Sequence, residues 1–367
     1  MMGNTKKIED FGYDAFFESN IEKMALQNYA MARVIVENKG LYKVVSQNGE
    51  FLAKITGKLM FAAEAAEDYP VVGDWVAIKE LENRQAVISA ILPRKTVIKR
   101  RYGDKNRVGD KNDTQVIGAN IDEAFVVEST DRDFSLNRFE RYFAVLNEGG
   151  VKPAIIINKT DLISKEELDE KLIQLKKRFN NIDVIATSTV DDSGLEELRA
   201  YLLRGKTYCF LGSSGVGKST LVNKLLGTSL IETADISSYS DRGKHVTTNR
   251  HMYFLKNGSI VIDNPGMREI GVMSVSGVDN LFDEITNLAK ECKFNDCTHV
   301  HEPGCNVLVQ LKEGKLDEEK YSNYVNLKKE AENYNMTSFE KRKADRQFGK
   351  FIKGAKKELK KFKGKEN

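Results

Sequence analysis

The sequence predicts a multidomain protein of mixed α/β and β class: an N-terminal barrel, a parallel α/β domain, and a C-terminal helical domain built on a metal site. Three observations predict it. Short β-rich runs separated by turn signals fill residues 30–91. From residue 120 strands alternate with helices around a phosphate-loop motif. Three of the four cysteines crowd between Cys292 and Cys305, which points to a metal rather than a disulfide framework. At 367 residues the chain exceeds one ordinary core, so two or three domains are expected.

Taken in order, residues 14–26 are amphipathic and read as a short helix of no legible role. Residues 30–36, 41–45, 51–55, 74–78 and 86–91 are strand candidates, broken by turns such as Asn38-Lys39-Gly40 and Gln47-Asn48-Gly49. Five such strands describe a small barrel of OB-fold size, a fold that commonly binds nucleic acid. Trp75, the only tryptophan, follows Val72-Gly73-Asp74; a core position is the expectation and base stacking the alternative. Beyond residue 120 come an apolar strand (124–127), an amphipathic helix (137–146) and a buried strand (154–157). A charged helix (165–179), a strand (184–186) and a helix (195–203) follow, then a strand (208–211) and a helix starting over 221–226. Past the cysteines, 317–334 and 339–362 read as helices, the second ending almost purely basic.

The chemistry starts at Gly212-Ser213-Ser214-Gly215-Val216-Gly217-Lys218-Ser219-Thr220, a glycine, four residues, then Gly-Lys-Ser/Thr. Between a strand and a helix, its glycines let the backbone wrap phosphate oxygens while the helix N-terminus offers unpaired N–H groups. Lys218 is expected to reach the β- and γ-phosphates and Ser219 to place its hydroxyl on Mg²⁺. Asn158-Lys159-Thr160-Asp161, after a buried strand, chooses the base. Asp161 can accept from guanine N1–H and the exocyclic amine, donors that adenine lacks at those positions. Lys159 can lay its stem along the base and Asn158 can brace the loop. Ala186-Thr187-Ser188 fits the loop whose backbone N–H meets the guanine carbonyl. A site built on such bonds rejects the wrong base strongly.

The order is unusual. In an ordinary GTPase the phosphate loop comes first; here the guanine motif precedes it and Asp263-Asn264-Pro265-Gly266 comes last. Circular permutation moves the termini and keeps the sheet. This order and these motifs, with Ser135-Leu136-Asn137-Arg138-Phe139-Glu140-Arg141-Tyr142 and Gly73-Asp74-Trp75-Val76, resemble the circularly permuted, ribosome-small-subunit-dependent GTPases of the RsgA family (also YjeQ or YloQ). The resemblance covers roughly residues 30 to 350. It implies an N-terminal OB-fold β-barrel, a circularly permuted P-loop GTPase domain, a C-terminal zinc-binding helical domain, and late maturation of the small (30S) ribosomal subunit as the task. The expected boundaries are an N-terminal segment (1–28), the barrel with a basic linker (29–112), the GTPase domain (113–275), and a zinc-binding domain with a basic helix (276–367).

Residues 236–250, polar and rich in Ser and Thr, are a plausible switch I. The resemblance places the Mg²⁺-binding threonine in Val246-Thr247-Thr248, with Thr248 preferred to Thr247. Asp263 is expected to hold Mg²⁺ through water and Gly266 to sense the γ-phosphate. Met267 stands where a Ras-like chain has its water-orienting glutamine; the family shares this apolar substitution, and the resemblance therefore implies slow unaided hydrolysis and stimulation by a partner. His245 is the candidate for orienting the water; a structural or RNA contact is its other reading.

Cys292-x₄-Cys297-x-His299-x₅-Cys305 supplies three thiolates and an imidazole, a closed tetrahedral set suited to one structural Zn²⁺. His301 competes for the imidazole place, and the family pattern favours His299. Cys209 is read as a core residue.

Net charge is only +3, yet residues 341–367 hold twelve Lys/Arg against three Asp/Glu, and residues 94–107 seven against one. Two basic segments on an otherwise acidic chain point to a polyanion, most simply RNA, which the resemblance makes rRNA of the small subunit. With no apolar run of membrane-span length and a polar start, a cytoplasmic monomer is expected. The rivals are a GTP-switched RNA-binding factor with incidental turnover, favoured by Met267, and a phosphate-loop kinase or ATPase, disfavoured by Asn158 to Asp161.

Overall fold

Period-2 alternation closes the barrel. In the computed structural model, which describes residues 7–38, 40–101, 114–131, 134–229, 231, 250–263, 271–336 and 340, five strands precede residue 92: β1 (Ala30–Asn38), β2 (Leu41–Ser46), β3 (Gly49–Ile55), β4 (Trp75–Glu80) and β5 (Gln85–Ile91). Their pairing runs β1-β2-β3-β5-β4 and returns to β1, with only β3–β5 parallel. Alternate residues fill the inside: Ala32 and Val34, Tyr42 and Val44, Phe51 and Ala53, Val76 and Ile78, Ala86 and Ile88. This is the OB-like barrel that the turn spacing predicts. An exposed helix α2 (Gly57–Ala62) lies between β3 and β4.

The stretch of no legible role packs against the barrel from outside. Helix α1 (Ala15–Lys23) is capped by Asp14. Trp75 is fully buried, with Tyr13 edge-on at 4.9 Å and Phe17 at 5.8 Å. The base-stacking alternative for Trp75 is therefore corrected: its ring faces the N-terminal segment. Arg33 of β1, also buried, donates to the carbonyls of Phe11, Gly73 (3.3 Å) and Asn120 (2.9 Å). One guanidinium thereby satisfies carbonyls from three separate stretches, which buried backbone oxygens require.

Two further strands, β6 (Val97–Arg101) and β7 (Thr114–Ala119), pair with each other. They were not read from the sequence, because the cations there hide a short apolar pair, Val97-Ile98. Four cations of the basic segment, Arg94, Lys95, Lys99 and Arg100, are internally partnered. Arg94 donates from Nε and Nη2 to Asp74 (2.9 Å each), whose carboxylate is fully buried. Lys95 pairs with Asp14 at 2.8 Å, Lys99 pairs with Glu67, and Arg100 donates to Gln115 at 3.0 Å. Residues 102–107 lie outside the described residues.

The α/β part adds β8 (Glu123–Ser129), β9 (Lys152–Asn158), β10 (Val184–Ala186), β11 (Thr207–Leu211), β12 (His251–Phe254) and β13 (Ile260–Asp263). Their order is β10-β9-β8-β11-β13-β12, parallel except for β12. β12 also meets β1 at Val36↔His251, so barrel and α/β strands form one eleven-stranded sheet. Four helices alternate with the strands: α3 (Leu136–Glu148), α4 (Lys165–Arg178), α5 (Leu195–Tyr201) and α6 (Lys218–Leu226). α4 starts on a capping box of Ser164 and Glu167. α6 buries Leu221, Val222 and Leu225 and stops at Gly227 in the left-handed conformation.

Backbone contacts divide the chain into two compact units, Met1–Arg100 with Thr114–Gly271, and Arg101–Asp113 with Val272–Asn367. Among the described residues the second unit holds the helices α7 (Val275–Leu281), α8 (Asp283–Ala289), α9 (Asn306–Lys312) and α10 (Glu318–Asn335). α10 buries Tyr324, Leu327 and Ala331 on one stripe, and Tyr324 meets Phe282 edge-on at 5.4 Å. The expected helix over 339–362 lies outside the described residues except for residue 340. Among the described residues no helix is long and apolar enough to cross a membrane.

Candidate nucleotide site and metal centre

The carboxyl ends of β8, β9, β10, β11 and β13 carry the site, which is where parallel sheets present ligand-binding loops. β11 ends at Leu211, and the loop from Gly212 to Gly217 runs into α6 at Lys218. Two glycines are sterically required. A Cβ on Gly212 would lie 2.2 Å from the Val127 carbonyl oxygen, and one on Gly217 would lie 2.2 Å from Asn158 Nδ2. Both also have positive φ, 141° and 97°. Val216 is fully buried and anchors the loop, while Ser214 and Gly215 are exposed and Ser213, Ser219 and Thr220 are half-buried.

Lys218 Nζ donates to the carbonyls of Gly212 (2.8 Å) and Ser213 (2.6 Å), folding back over the loop it belongs to. Burial pushes its pKa down to about 8, against the pull of the Asp263 carboxylate. Burial likewise pushes Asp263 up, against the pull of Lys218. A buried cation and a buried carboxylate, each held from its preferred charge, suit a ligand that brings anionic phosphate to one and a divalent cation to the other. Ser219, in the first turn of α6, and Asp263, at the end of β13, are the described residues that fit Mg²⁺. The donor set is hydroxyl and carboxylate oxygen, which is what this hard cation takes.

Asn158 links the motifs. Its Nδ2 donates to the Val216 carbonyl of the phosphate loop at 2.8 Å, and its Oδ1 accepts from Thr187 Oγ1 at 3.0 Å. Asp161 Oδ1 accepts from Ser188 Oγ at 2.6 Å. The backbone N–H groups of Thr187 and Ser188 donate to Ile157 O (2.7 Å) and Ser193 O (3.0 Å), so these two residues support the motif through their hydroxyls. On the other flank Thr130 Oγ1 donates to Lys159 O at 2.7 Å, and Lys159 Nζ lies 3.5 Å from Asp131 Oδ2. Thr130 and Asp131 follow β8 and belong to no motif read from the sequence. Their signal is position alone, a hydroxyl and a carboxylate just past the carboxyl end of a buried strand. His245, Thr247, Thr248, Gly266 and Met267 lie outside the described residues.

In the second unit Cys292, Cys297, His299 and Cys305 bring their ligand atoms within 4.8 Å of one another. Cys292 Sγ lies 3.8 Å from Cys305 Sγ, and His299 Nδ1 lies 3.6 and 3.5 Å from those two sulfurs. A tetrahedral zinc with ordinary bond lengths sets S···S near ~3.8 Å and S···N near ~3.6 Å. The set fits, and it contains His299 rather than His301. Burial raises the Cys292 thiol, but the N–H groups of Val307 and Asn306 at the start of α9 more than offset it, holding it low. Tyr321 Oη donates to His299 O at 2.6 Å, fixing the ligand loop where His299 has a φ of 62°. Among the described residues the remaining cysteine, Cys209, is fully buried in β11, as expected.

A model of the RsgA GTPase family matches residues 91–273. A Bacteroides thetaiotaomicron protein named small ribosomal subunit biogenesis GTPase RsgA 1 is 37% identical over 89% of this chain and 90% of its own length. The chain belongs to the RsgA GTPase family. A Lactiplantibacillus plantarum member, RsgA 2, is 38% identical over 87% of this chain and 89% of its own. Among solved structures, YjeQ from Thermotoga maritima superposes with a TM-score of 0.61 at 25% identity, over 82% of this chain and 98% of that one. YloQ, described as a circularly permuted GTPase, gives a TM-score of 0.60 at 20% identity, over 84% and 97%, which speaks to the fold. The permuted motif order of this chain thus goes with a fold described as circularly permuted. As a member, the chain is a GTP hydrolase.

Proposed function

We propose that this RsgA-family GTPase acts on the small ribosomal subunit as a late maturation factor, binding rRNA in its GTP state and hydrolysing GTP slowly until the subunit stimulates it. The observation that carries the nucleotide part is Asn158, whose one amide joins the guanine motif to the phosphate loop at Val216 and to the loop after β10 at Thr187. The subunit comes from the relatives, whose names state small-subunit biogenesis. In this reading Asn158, Lys159, Asp161, Thr187 and Ser188 form the guanine side, and Gly212 to Thr220 hold the phosphates. Ser219, Asp263 and Thr248 hold Mg²⁺, Gly266 senses the γ-phosphate, and His245 orients water. Cys292, Cys297, His299 and Cys305 hold one Zn²⁺. The protein works as a cytoplasmic monomer, with the barrel (29–112) and the zinc-binding domain (276–367) flanking the GTPase domain (113–275).

GTP turnover measured with and without purified small subunits tests it. Stimulation of tenfold or more, about 1.4 kcal/mol of barrier, is the expected result; no stimulation sinks the subunit part. His245→Ala retaining full stimulated turnover removes His245 from the chemistry.

A further inference from the structure

Thr130 is buried just past the end of β8, and it holds both carbonyls at the start of the guanine motif. Its backbone N–H donates to Asn158 O at 3.1 Å, and its Oγ1 donates to Lys159 O at 2.7 Å. The second bond matters because Lys159 has a φ of 62°, a left-handed conformation that a side chain with a Cβ adopts only at an energetic cost. Asp131 adds to the hold. Its Oδ1 accepts from Ser129 Oγ at 2.6 Å, and its Oδ2 faces Lys159 Nζ at 3.5 Å. Thr187 and Ser188 do matching work on the opposite flank, through Asn158 and Asp161.

We infer that Thr130, seconded by Asp131, is a positioning residue of the nucleotide site: its hydroxyl locks the left-handed turn that lays the Lys159 stem along the face of the purine. The inference rests on the guanine reading of Asn158 to Asp161 given above. It separates two duties within one motif. Asp161 meets the edge of the base and chooses guanine, whereas Lys159 covers the face and grips any purine. Loss of the Thr130 hydroxyl therefore weakens binding without altering base choice.

The test uses the full chain and compares Thr130→Val, Thr130→Ser, Asp131→Asn and Asp161→Asn. Affinities are measured for GDP, IDP and ADP, with inorganic tripolyphosphate as a competitor that reads the phosphate loop alone. Thr130→Val is expected to weaken GDP and IDP by the same factor, about tenfold, since it removes one of the two donors, Thr130 Oγ1 and Leu162 N–H, that hold the part-buried Lys159 carbonyl. The KM for GTP rises by that factor while kcat falls by less than about twofold, and tripolyphosphate competition is unchanged. Thr130→Ser, which keeps the hydroxyl, restores GDP affinity. Asp131→Asn has a smaller effect, about twofold, as befits a long and half-exposed ion pair. Asp161→Asn abolishes the preference for GDP over IDP, a preference that Thr130→Val retains. Unchanged GDP affinity in Thr130→Val overturns the inference. So does an equal loss for tripolyphosphate, which would place the effect in the fold, or a lost GDP-over-IDP preference. The unaltered protein binding ADP as tightly as GDP would instead overturn the guanine reading itself.

Discussion

Lys218 is charged against the preference of its surroundings. Burial holds its pKa at about 8 rather than 10.5. Above pH 8 the folded protein gives up this proton before the unfolded chain does, so the burial penalty is relieved and this group's contribution to stability rises through that window. Phosphate acts in the opposite sense, because an anion beside Lys218 favours the charged form. GDP binding near pH 9 is therefore expected to take up close to one proton, and its affinity to fall as pH rises past 8. Calorimetry in two buffers of different ionisation enthalpy measures that uptake; none at pH 9 would show that the loop lysine enters the site already charged. At this scale the sequence was most legible where a side chain belongs to a spaced motif. Lys218, Asn158 and Asp161 could be named because their spacing is dictated by a ligand of fixed size. Thr130 could not, because its partner is a backbone carbonyl 29 residues away.

At the scale of elements, the Cys₃His cluster and the barrel show opposite sources of order. The ligand loop between α8 and α9 has little apolar burial of its own, so a bound metal ion is what is expected to order it. Removal of zinc by a chelator is expected to abolish amide protection over residues 292–305 and loosen α9, while Cys209 stays closed to thiol reagents. Metal analysis should give about one zinc per chain, lost in Cys305→Ser. In the barrel the corresponding element is Arg94. Replacing that side chain strands the fully buried Asp74 carboxylate, so Arg94→Met should cost about 3–5 kcal/mol in denaturant unfolding. RNA affinity lost without any change in stability would return Arg94 to the polyanion-binding role its basic neighbours suggested. β1 to β5 were readable because one face is apolar and the other polar at period 2. β6, β7 and the short helices α7 to α9 were not. Five to seven residues give too few turns or alternations for a period to stand out, and their order comes from tertiary contacts.

For the molecule as a whole, the permuted order of motifs was legible in full, since it needs only the succession of three short sequences. What could not be read was that barrel and α/β strands make one sheet. Nothing in a four-residue strand announces which neighbour it will pair with on its second side. β12 joins the two, with His251 opposite Asp263 on one side and Val36 on the other. Arg250, just before it, donates to Val116 O at 3.1 Å and lies 4.0 Å from Glu37.

That placement has a consequence for how the protein can be taken apart. An outermost strand with unpaired amides is adhesive, and β1 covers the start of that margin of β12 through the pairing Val36↔His251. A chain begun at residue 114 keeps every nucleotide-binding motif yet bares this margin, and loses the carbonyl clasp of Arg33 as well. It is expected to self-associate in a concentration-dependent way, seen by light scattering, where the full chain does not. A truncated chain that remained monomeric and bound GDP normally would show the margin to be harmless. Self-association of the shortened chain would give the barrel a duty besides any polyanion it meets: guarding the margin of the sheet that carries the proposed nucleotide site.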